Sequence, residues 1–328
     1  MSIRLQSMDQ CIFTLGESPA PDLEDMLGGI ALLAYGDTAR AMGLRSVVGD
    51  TRIRCLAVHE DAAETPHGSE LNQVKGHHKC EVASVSETIS ILTGAAESFD
   101  PSKALPIFID VSCLARPLIG ALFATLAKIA ERRPVKLYVG YQLAKFSEPP
   151  AVWAHPIRRI EPIHPNFSGW TGSALMPLSV VVGLGYERGK AQGALEYLEP
   201  SKRYVMIPES PESDYLQEVK KQNERLLGEA GCLRARYQVM DPVGTFGTLL
   251  SMTSGFKNRS RGLLLPFGPK IFLAVSLLIG MTDDEIAVWH VDGENNEPNL
   301  KSEPSKRSLI FWCELGPKYS TTATNRPA

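Results

Sequence analysis

The sequence predicts an α/β protein built from two Rossmann-like halves with mainly parallel sheets. Short apolar runs such as Leu105–Ser112 alternate with stretches of helical spacing, and continuous apolar runs are typical of parallel strands buried on both faces. The alternation occurs twice, on either side of a proline-rich stretch at residues 146–177. We therefore expect two helix-covered parallel sheets joined by a connector.

The composition narrows the class of protein. Of 328 residues, 44% are hydrophobic and 22% are charged, which are ordinary values for a globular chain. The formal net charge of −3 argues against a surface that coats long nucleic acids, and no apolar run reaches the ~18 residues that a membrane span needs. Six scattered cysteines fit a reducing cytoplasm better than a disulfide framework. We expect a cytoplasmic protein without membrane or long nucleic-acid partners.

One short stretch, His77-His78-Lys79-Cys80, contains residue types that bind metals. A structural zinc site usually takes its four ligands as two pairs, and no second pair at ligand spacing accompanies this stretch. We interpret it as part of a solvated surface loop within residues 60–79. We expect neither a metal nor a resident cofactor.

The first half covers residues 51–145 and follows a stretch, residues 1–50, that we interpret as a helical N-terminal extension. The extension has an apolar face from Leu23 to Ala34, which Gly28-Gly29 interrupts. The predicted elements of the first half are strand Arg52–Val58, helix Ser86–Phe99, strand Leu105–Ser112, a helix from Pro117 to about residue 132, and strand Val135–Tyr141.

The second half covers residues 178–316 and repeats the alternation. Its predicted strands are Val180–Gly183, Arg203–Pro208, Arg234–Met240, Arg261–Pro266 and Ile286–Val291. Its predicted helices are Gly189–Leu198, Leu216–Glu229, a helix from Asp241 toward Phe256, and Ile271–Ile279. Leu309–Glu314 is predicted to add an edge strand, and residues 317–328 are predicted to be a disordered tail.

A glycine-rich loop follows the first strand of the second half. It contains three glycines and two cations, at Gly183, Gly185, Gly189, Arg188 and Lys190. Such loops bring backbone N–H groups to a helix N-terminus, where anions bind. The spacing Gly-x-Gly-x-x-x-Gly is one residue longer than the dinucleotide fingerprint. The loop therefore predicts a ligand-binding site without naming the ligand, and a simple tight turn is the alternative interpretation.

The loop after the fourth strand of the second half places a lysine where it opposes a helix dipole. In Phe267-Gly268-Pro269-Lys270, the lysine stands in the first helical turn, and this indicates that an anion lies beside it. Because loops after neighbouring parallel strands open at the same edge of a sheet, we expect Gly183–Lys190 and Gly268–Lys270 to face each other across one pocket.

The two loops and the order of elements around them resemble the CRISPR-associated Rossmann fold (CARF) of bacterial defence sensors. In that family the fourth-strand loop reads close to Thr-Gly-Gly-Thr-Lys-Pro-Met. Here Pro266-Phe-Gly-Pro-Lys-Ile-Phe272 keeps a glycine and the lysine without the threonines. The resemblance covers residues 178–295 and carries no nuclease motif. It implies a dimeric sensor of cyclic oligonucleotides with the two loops lining its pocket, and the first half resembles a degenerate copy of the same unit.

We therefore predict a sensor of a nucleotide or cyclic oligonucleotide in a bacterial antiviral defence system, acting as a homodimer or through a protein partner. Backbone N–H groups and cationic side chains of the two loops would hold phosphate, and Tyr186 or Phe267 would stack on a base. The predicted ligand-binding residues are Gly183, Gly185, Tyr186, Arg188, Gly189, Lys190, Asp241, Phe267, Gly268 and Lys270.

Two alternatives come from other classes of protein. One is a structural or assembly subunit with a vestigial pocket. The other is a hydrolase or transferase acting on a nucleotide, in which Ser112 or Cys113 would be the nucleophile and Asp110, Glu187 or Asp241 would serve as acid or base. Ser112 and Cys113 stand on a strand-to-helix turn, but the glycines of a Gly-x-Ser-x-Gly elbow are absent. We therefore favour binding over catalysis.

Overall fold

The computed structural model describes residues 3–14, 26–35, 39–48, 53–59, 80–149, 157–170, 175–292 and 302–318. Its strands are β1 (Ile3–Thr14), β2 (Ile30–Ala34), β3 (Arg54–His59), β4 (Cys80–Ser84), β5 (Leu105–Asp110), β6 (Val135–Ala144), β7 (Arg159–Pro162), β8 (Leu178–Gly183), β9 (Lys202–Glu209), β10 (Cys232–Gln238), β11 (Arg261–Pro266), β12 (Ile286–Asp292) and β13 (Pro304–Pro317).

Its helices are α1 (Ala39–Gly43), α2 (Arg45–Val48), α3 (Val85–Ser98), α4 (Arg116–Ala130), α5 (Lys190–Leu198), α6 (Ser213–Gln222), α7 (Glu224–Gly228), α8 (Pro242–Ser254) and α9 (Lys270–Thr282), with a short 3-10 turn at Pro165–Phe167. The predicted α/β class is confirmed, because two mainly parallel sheets alternate with these helices. Within the described residues, no helix combines the length and apolar character that crossing a membrane requires.

Both sheets have the same strand order. The first sheet runs β1-β13-β6-β5-β2-β3-β4, and the second runs β10-β9-β8-β11-β12-β7. Each contains five parallel strands in the order third, second, first, fourth, fifth, and an antiparallel strand lies next to the fifth. The two halves are therefore two copies of one Rossmann-like topology, each with its switch point between the first and fourth strands. The predicted parallel order through residues 180–290 is confirmed.

Helices α3, α4, α8 and α9 lie between the two sheets and form a layer that both halves share. One continuous core contains Leu122 of α4, Leu273 of α9, Ile107 of the first sheet and Val181 of the second sheet. Residues 271–281 of α9 are all buried, as expected for a helix that is apolar on every side. Separate cores cover the outer faces of the sheets, with α1 and α2 over the first and α5–α7 over the second.

The predicted helical extension at residues 1–50 is wrong in its main feature. Strand β1 pairs with β13, and β2 lies in the middle of the first sheet between β3 and β5. The apolar run Ile30–Ala34 is buried throughout. A buried five-residue strand has no alternation, so sequence periodicity cannot distinguish it from part of a buried helix. The first sheet therefore includes β1 and β2, both of which lie before residue 51.

The C-terminal strand and two shorter features also differ from the prediction. Strand β13 belongs to the first sheet, between β1 and β6, although Leu309–Glu314 was expected to extend the second half at an edge. The connector contains β7, which pairs antiparallel with β12. The predicted helix Leu216–Glu229 is two helices, α6 and α7, separated at Asn223. The predicted loop over residues 60–79 and tail residues 319–328 lie outside the described residues.

Arg133 connects the end of α4 to the end of α3. Its guanidinium donates hydrogen bonds of 2.7–2.9 Å to the carbonyl oxygens of Ala96, Phe99, Asp100 and Lys103. The residue is 9% exposed. The Ala96 carbonyl belongs to the last turn of α3 and the other three follow it, so one side chain satisfies acceptors at the end of the helix.

We expect Arg133→Lys to lower the free energy of unfolding by about 2–4 kcal/mol, because one ammonium cannot reach all four carbonyls and each unpaired buried acceptor is costly. The control is Arg132→Lys at the exposed neighbouring position. Urea denaturation measures both variants. Equal, small effects of the two substitutions would contradict the structural role of Arg133.

Candidate functional site

A cleft of about 330 Å³ lies where the carboxyl ends of the strands of the two sheets face each other. This volume is at the lower end of the range for small-molecule sites. The first half lines it with Arg40, Arg116, Tyr141, Leu143, Ala144, Lys145, Phe146 and Ser147, and Ser302 precedes β13. The second half lines it with Tyr186, Glu187, Ser210, Glu212, Tyr215, Val239, Gly268, Pro269 and Lys270. We call this space the central cleft.

Arg116 and Lys270 connect the two halves beside the central cleft. Each is the first residue of the helix that follows the fourth parallel strand of its half. The Arg116 guanidinium donates to the carbonyl oxygens of Pro266, at 2.7 Å, and Gly268. The Lys270 ammonium donates to the carbonyl oxygen of Ser112 at 3.3 Å. Each cation therefore binds the loop that precedes the other helix.

Arg40 brings a third cation to the cleft from α1. Its Nε donates to the carbonyl oxygen of Gln142 at 3.0 Å, and its Nη1 donates to Oγ of Ser302 at 3.3 Å. The guanidinium carbon lies 5.6 Å from the centre of the Tyr141 ring. Its position after the first parallel strand places Arg40 at the switch point of the first half.

The three cations have no carboxylate within 4.0 Å among the described residues. Burial, the largest cause, and the positive charges of Arg40 and Arg116 together lower the pKa of Lys270 to about 8, although Cys113 and Asp110 oppose the shift. Bringing like charges together in a partly buried space costs free energy unless an anion lies among them. The two helix N-termini of α4 and α9 add partial positive charge beside the same space.

Asp110 is the buried acid nearest to these cations. It is fully buried, and burial raises its pKa, although hydrogen bonds from Ser112 and the charges of Arg40 and Lys270 oppose the rise. Its Oδ1 accepts a hydrogen bond of 2.9 Å from the Ser112 amide. No described residue is hydrogen-bonded to its Oδ2. Asp110 therefore does not neutralise the three cations by direct pairing.

The second half contributes an aromatic and acidic side to the cleft. The rings of Tyr186 and Tyr215 meet edge to face with their centres 5.6 Å apart. Burial raises the pKa of Tyr215 well above its ordinary value, so its hydroxyl stays protonated at neutral pH. The Oε2 atom of Glu187 is buried and has no hydrogen-bond partner among the described residues. A Cβ at Gly185 would overlap this atom, so Oε2 packs against the glycine loop.

The predicted glycine loop and fourth-strand loop are in direct contact. A Cβ at Gly185 would lie 2.7 Å from the amide nitrogen of Gly268, and a Cβ at Gly268 would overlap the carbonyl oxygen of Leu184. Gly268 has φ +68°, which a residue with a side chain rarely adopts. The loops therefore lie against each other at the second switch point, and the cleft extends from their common edge toward the first half.

Asn223 holds the glycine loop in place through side-chain hydrogen bonds. Its Nδ2 donates to the carbonyl oxygen of Gly185 at 2.7 Å and to that of Val219 at 2.8 Å, and the residue is 5% exposed. Gly183 has a packing role, because a Cβ there would overlap the Phe272 ring of α9. The packing of Gly183 on Phe272 and of Gly185 on Gly268 explains why the chain is glycine-rich here without involving a ligand.

The predicted ligand-binding residues divide into those that line the cleft and those that do not. Tyr186, Gly268 and Lys270 line the central cleft. Arg188 and Gly189 are exposed outside it, Gly189 as the N-cap residue of α5 with φ +72°. Gly183 and Gly185 are buried and pack against protein atoms.

The other three predicted residues lie in a smaller pocket, in a hydrophobic core and at a helix cap. Lys190 is 7% exposed and lines a smaller pocket of about 40 Å³, with Glu187 and His290 among its neighbours. Phe267 is 8% exposed in the outer core of the second sheet. Asp241 caps α8, because its carboxylate accepts a hydrogen bond from the Gly244 amide at 2.9 Å.

The two candidate nucleophiles, Ser112 and Cys113, are both at least partly buried. Ser112 is fully buried, and its Oγ accepts a hydrogen bond of 2.8 Å from the Gln142 amide. Cys113 is partly buried beside Tyr141 and Lys270. No histidine lines the central cleft among the described residues, so the arrangement there supports binding better than Ser–His or Cys–His chemistry. The described residues also contain no group of three or more His, Cys, Asp or Glu side chains placed to hold a metal.

Comparison with known proteins does not assign a family. No protein-family model matches the chain, and no curated protein is significantly similar to it in sequence.

All the predicted ligand-binding residues belong to the second half, whereas the first half also lines the cleft. Arg40, Arg116 and Lys145 of the first half and Glu212 of the second half line the cleft, and none of them is among the predicted ligand-binding residues. One signal was available for Arg116. It opens the helix after the fourth parallel strand of its half, which is the same place that drew attention to Lys270. Treating the halves as aligned copies would have identified it.

We expect the free energy of unfolding to rise between about pH 8 and pH 10 because of Lys270. Its pKa is about 8 in the folded protein and about 10.4 in an unfolded chain. The unfolded state therefore binds more protons in this window, and stability increases with pH. Below pH 8 both states are protonated, and the cost of burying the charge is fully present.

Chemical denaturation across a pH series in Lys270→Met tests this assignment. The variant should lack this contribution to the rise and should be more stable than the wild type at pH 7. Lys257→Met, at an exposed position, should keep the wild-type profile. A Lys270→Met profile parallel to that of the wild type would show that Lys270 is not the group responsible.

Proposed function

We propose that the protein is a nucleotide sensor whose binding site is the central cleft. The observation that carries the proposal is the convergence of Arg40, Arg116 and Lys270, without carboxylate partners, at one cavity between the two halves. Phosphate is the anion that arginine and lysine side chains at helix N-termini bind most readily in proteins. The Tyr186–Tyr215 pair supplies a surface on which a base can pack.

The sensor acts through a protein partner or a second copy of the chain, in the cytoplasm of a bacterium. The resemblance of residues 178–295 to CARF proteins of antiviral defence systems supports this role, and it favours a cyclic oligonucleotide among candidate ligands. None of the six cysteines forms a disulfide, which supports a reducing compartment. The chemical basis of sensing is the cation cluster, whichever nucleotide carries the phosphate.

Binding would change the contacts between the halves. Arg116 and Lys270 bind carbonyl oxygens across the boundary between the halves, at Gly268 and Ser112 among others. A phosphate would compete for the same donors, and charge-assisted bonds to an anion are stronger than bonds to a neutral carbonyl. Ligand binding would therefore exchange bonds between the halves for bonds to the ligand, which a partner protein can detect.

We expect Lys270→Met and Arg40→Gln each to weaken nucleotide binding about tenfold or more, because each removes one charge-assisted hydrogen bond to phosphate. Thermal-shift and calorimetric titrations with a panel of linear and cyclic nucleotides measure the effect, with inorganic phosphate as the smallest probe. The matched control is Arg188→Gln, whose side chain is exposed and outside the cleft.

The control also distinguishes the central cleft from the glycine loop alone. If Arg188→Gln abolishes ligand-induced stabilisation while Lys270→Met and Arg40→Gln retain it, the binding site lies at the exposed end of the glycine loop. If no nucleotide in the panel stabilises the wild type, the proposed class of ligand is wrong.

We expect Glu187 to select bases that carry an exocyclic amino group. Its carboxylate lines the central cleft and can accept a hydrogen bond from an amino group, whereas a carbonyl at that position of the base would place two acceptors against each other. The wild type should therefore bind adenine nucleotides about tenfold more tightly than their hypoxanthine counterparts. Glu187→Gln should reduce or reverse the preference, since an amide can donate to the hypoxanthine carbonyl. An unchanged preference in this variant would exclude base selection by Glu187.

A further inference from the structure

A pair of buried cysteines lies on two neighbouring strands of the first sheet, on the outer face away from the shared helix layer. Cys55 of β3 and Cys80 of β4 are directly paired in the parallel register, and they are 7% and 5% exposed. Both belong to the core that α1 and α2 cover, together with Leu44 and Val48. The two thiols are hydrogen-bonded to each other.

The register of the strands satisfies the geometric requirement for a disulfide. Directly paired residues of adjacent strands point to the same face of the sheet, and the strands are about 4.8 Å apart. Disulfides join residues whose Cα atoms are about 4.4–6.8 Å apart. Cys55 and Cys80 therefore need no backbone rearrangement to bring their sulfur atoms together.

The surroundings make the two thiols unequal. The hydrogen bond from Cys55 lowers the pKa of Cys80 to about 7, and the positive charge of Arg45, from α2 on the same face, contributes. The same hydrogen bond and burial raise the pKa of Cys55. Arg45 is 2% exposed, so its charge acts through protein and not through water. The lower pKa of Cys80 makes it the cysteine that ionises and attacks more readily, and Cys55 is then the thiol that resolves.

We infer that Cys55 and Cys80 are a reversible disulfide-forming site whose oxidant is a hydroperoxide, with hydrogen peroxide the simplest member. The Cys80 thiolate attacks one oxygen of the peroxide, the O–O bond breaks, and a sulfenic acid and hydroxide form. The Cys55 sulfur then attacks the sulfenic sulfur, and water leaves with the thiol proton. The two thiols lose two electrons, and the peroxide is reduced to water.

The site lies close to the element that supplies Arg40. Helix α2, with Arg45, directly follows α1, and Nη2 of Arg45 donates to the carbonyl oxygen of Ala34 at the end of β2. Oxidation removes the thiolate that faces Arg45 and ties β3 covalently to β4. The modification is independent of the proposed nucleotide sensing. It nevertheless changes the surroundings of Arg45, whose helix α2 directly follows the helix α1 that carries Arg40.

Peptide mapping of the folded, full-length protein tests the inference. The protein is treated with hydrogen peroxide, its remaining thiols are alkylated under denaturing conditions, and the digest is analysed by mass spectrometry. We expect a Cys55–Cys80 cross-linked peptide that dithiothreitol removes, and we expect it to form about tenfold faster in the folded protein than in guanidinium-unfolded protein. Ligand-binding measurements do not enter this test.

Two variants provide the controls. Cys313→Ser removes a buried cysteine that pairs with Met8 and Leu137 in the sheet, and it should leave formation of the cross-link unchanged. Cys55→Ser should leave Cys80 as a sulfenic acid that dimedone traps. The inference is overturned if Cys55 and Cys80 both stay reduced while the partly exposed Cys11 and Cys113 are oxidised. It is also overturned if the cross-link forms only after unfolding. If a variant does not fold, measurements on the wild type alone are enough to observe either of these two contradicting results.

Discussion

Arg116 and Lys270 begin two equivalent helices, and each donates to the loop that precedes the other helix. This exchange fixes where the two halves meet. It leaves two cations near a third, Arg40, in a space that contains no directly paired carboxylate among the described residues. Partly buried cations without directly paired carboxylates are costly, and proteins retain such arrangements mainly where an anionic ligand or a reaction requires them. The free-energy cost of holding Arg40, Arg116 and Lys270 close together is the physical reason to regard the central cleft as a binding site.

The repeated topology explains why the cleft lies between the halves. Parallel strands present the loops after their carboxyl ends at one edge of a sheet, and ligands of open α/β sheets bind at that edge. Here the helices of the shared layer bring the two edges together, so both halves contribute to one cavity. The second switch point is closed by the contact between Gly185 and Gly268. A ligand in the cleft therefore contacts both halves and can change how they are held together.

Much of the fold could be predicted from the sequence, because most of the strands and helices after residue 80 have clear apolar patterns. Strand β2 could not, since Ile30–Ala34 is buried on both faces and too short to show a period. The position of β13 could not be predicted either. Its pairing with β1 and β6, which are distant in sequence, is set by packing and not by a local sequence pattern. For the site, the sequence identified Tyr186, Gly268 and Lys270. It could not show that Phe267 points into a core or that Arg188 lies outside the cleft, because side-chain direction at a loop depends on contacts distant in sequence.

Photoaffinity labelling tests the central claim most directly, because it reports which residues surround a bound nucleotide. The wild-type protein is irradiated with an azido-substituted adenine nucleotide, with and without an excess of unmodified nucleotide, and the labelled peptides are mapped. The account predicts competed label on both halves of the chain, in residues 141–147 and in residues 186–187 or 210–215, which line opposite sides of the cleft. Competed label confined to residues 188–190, or to any surface of a single half, would contradict a binding site between the two halves.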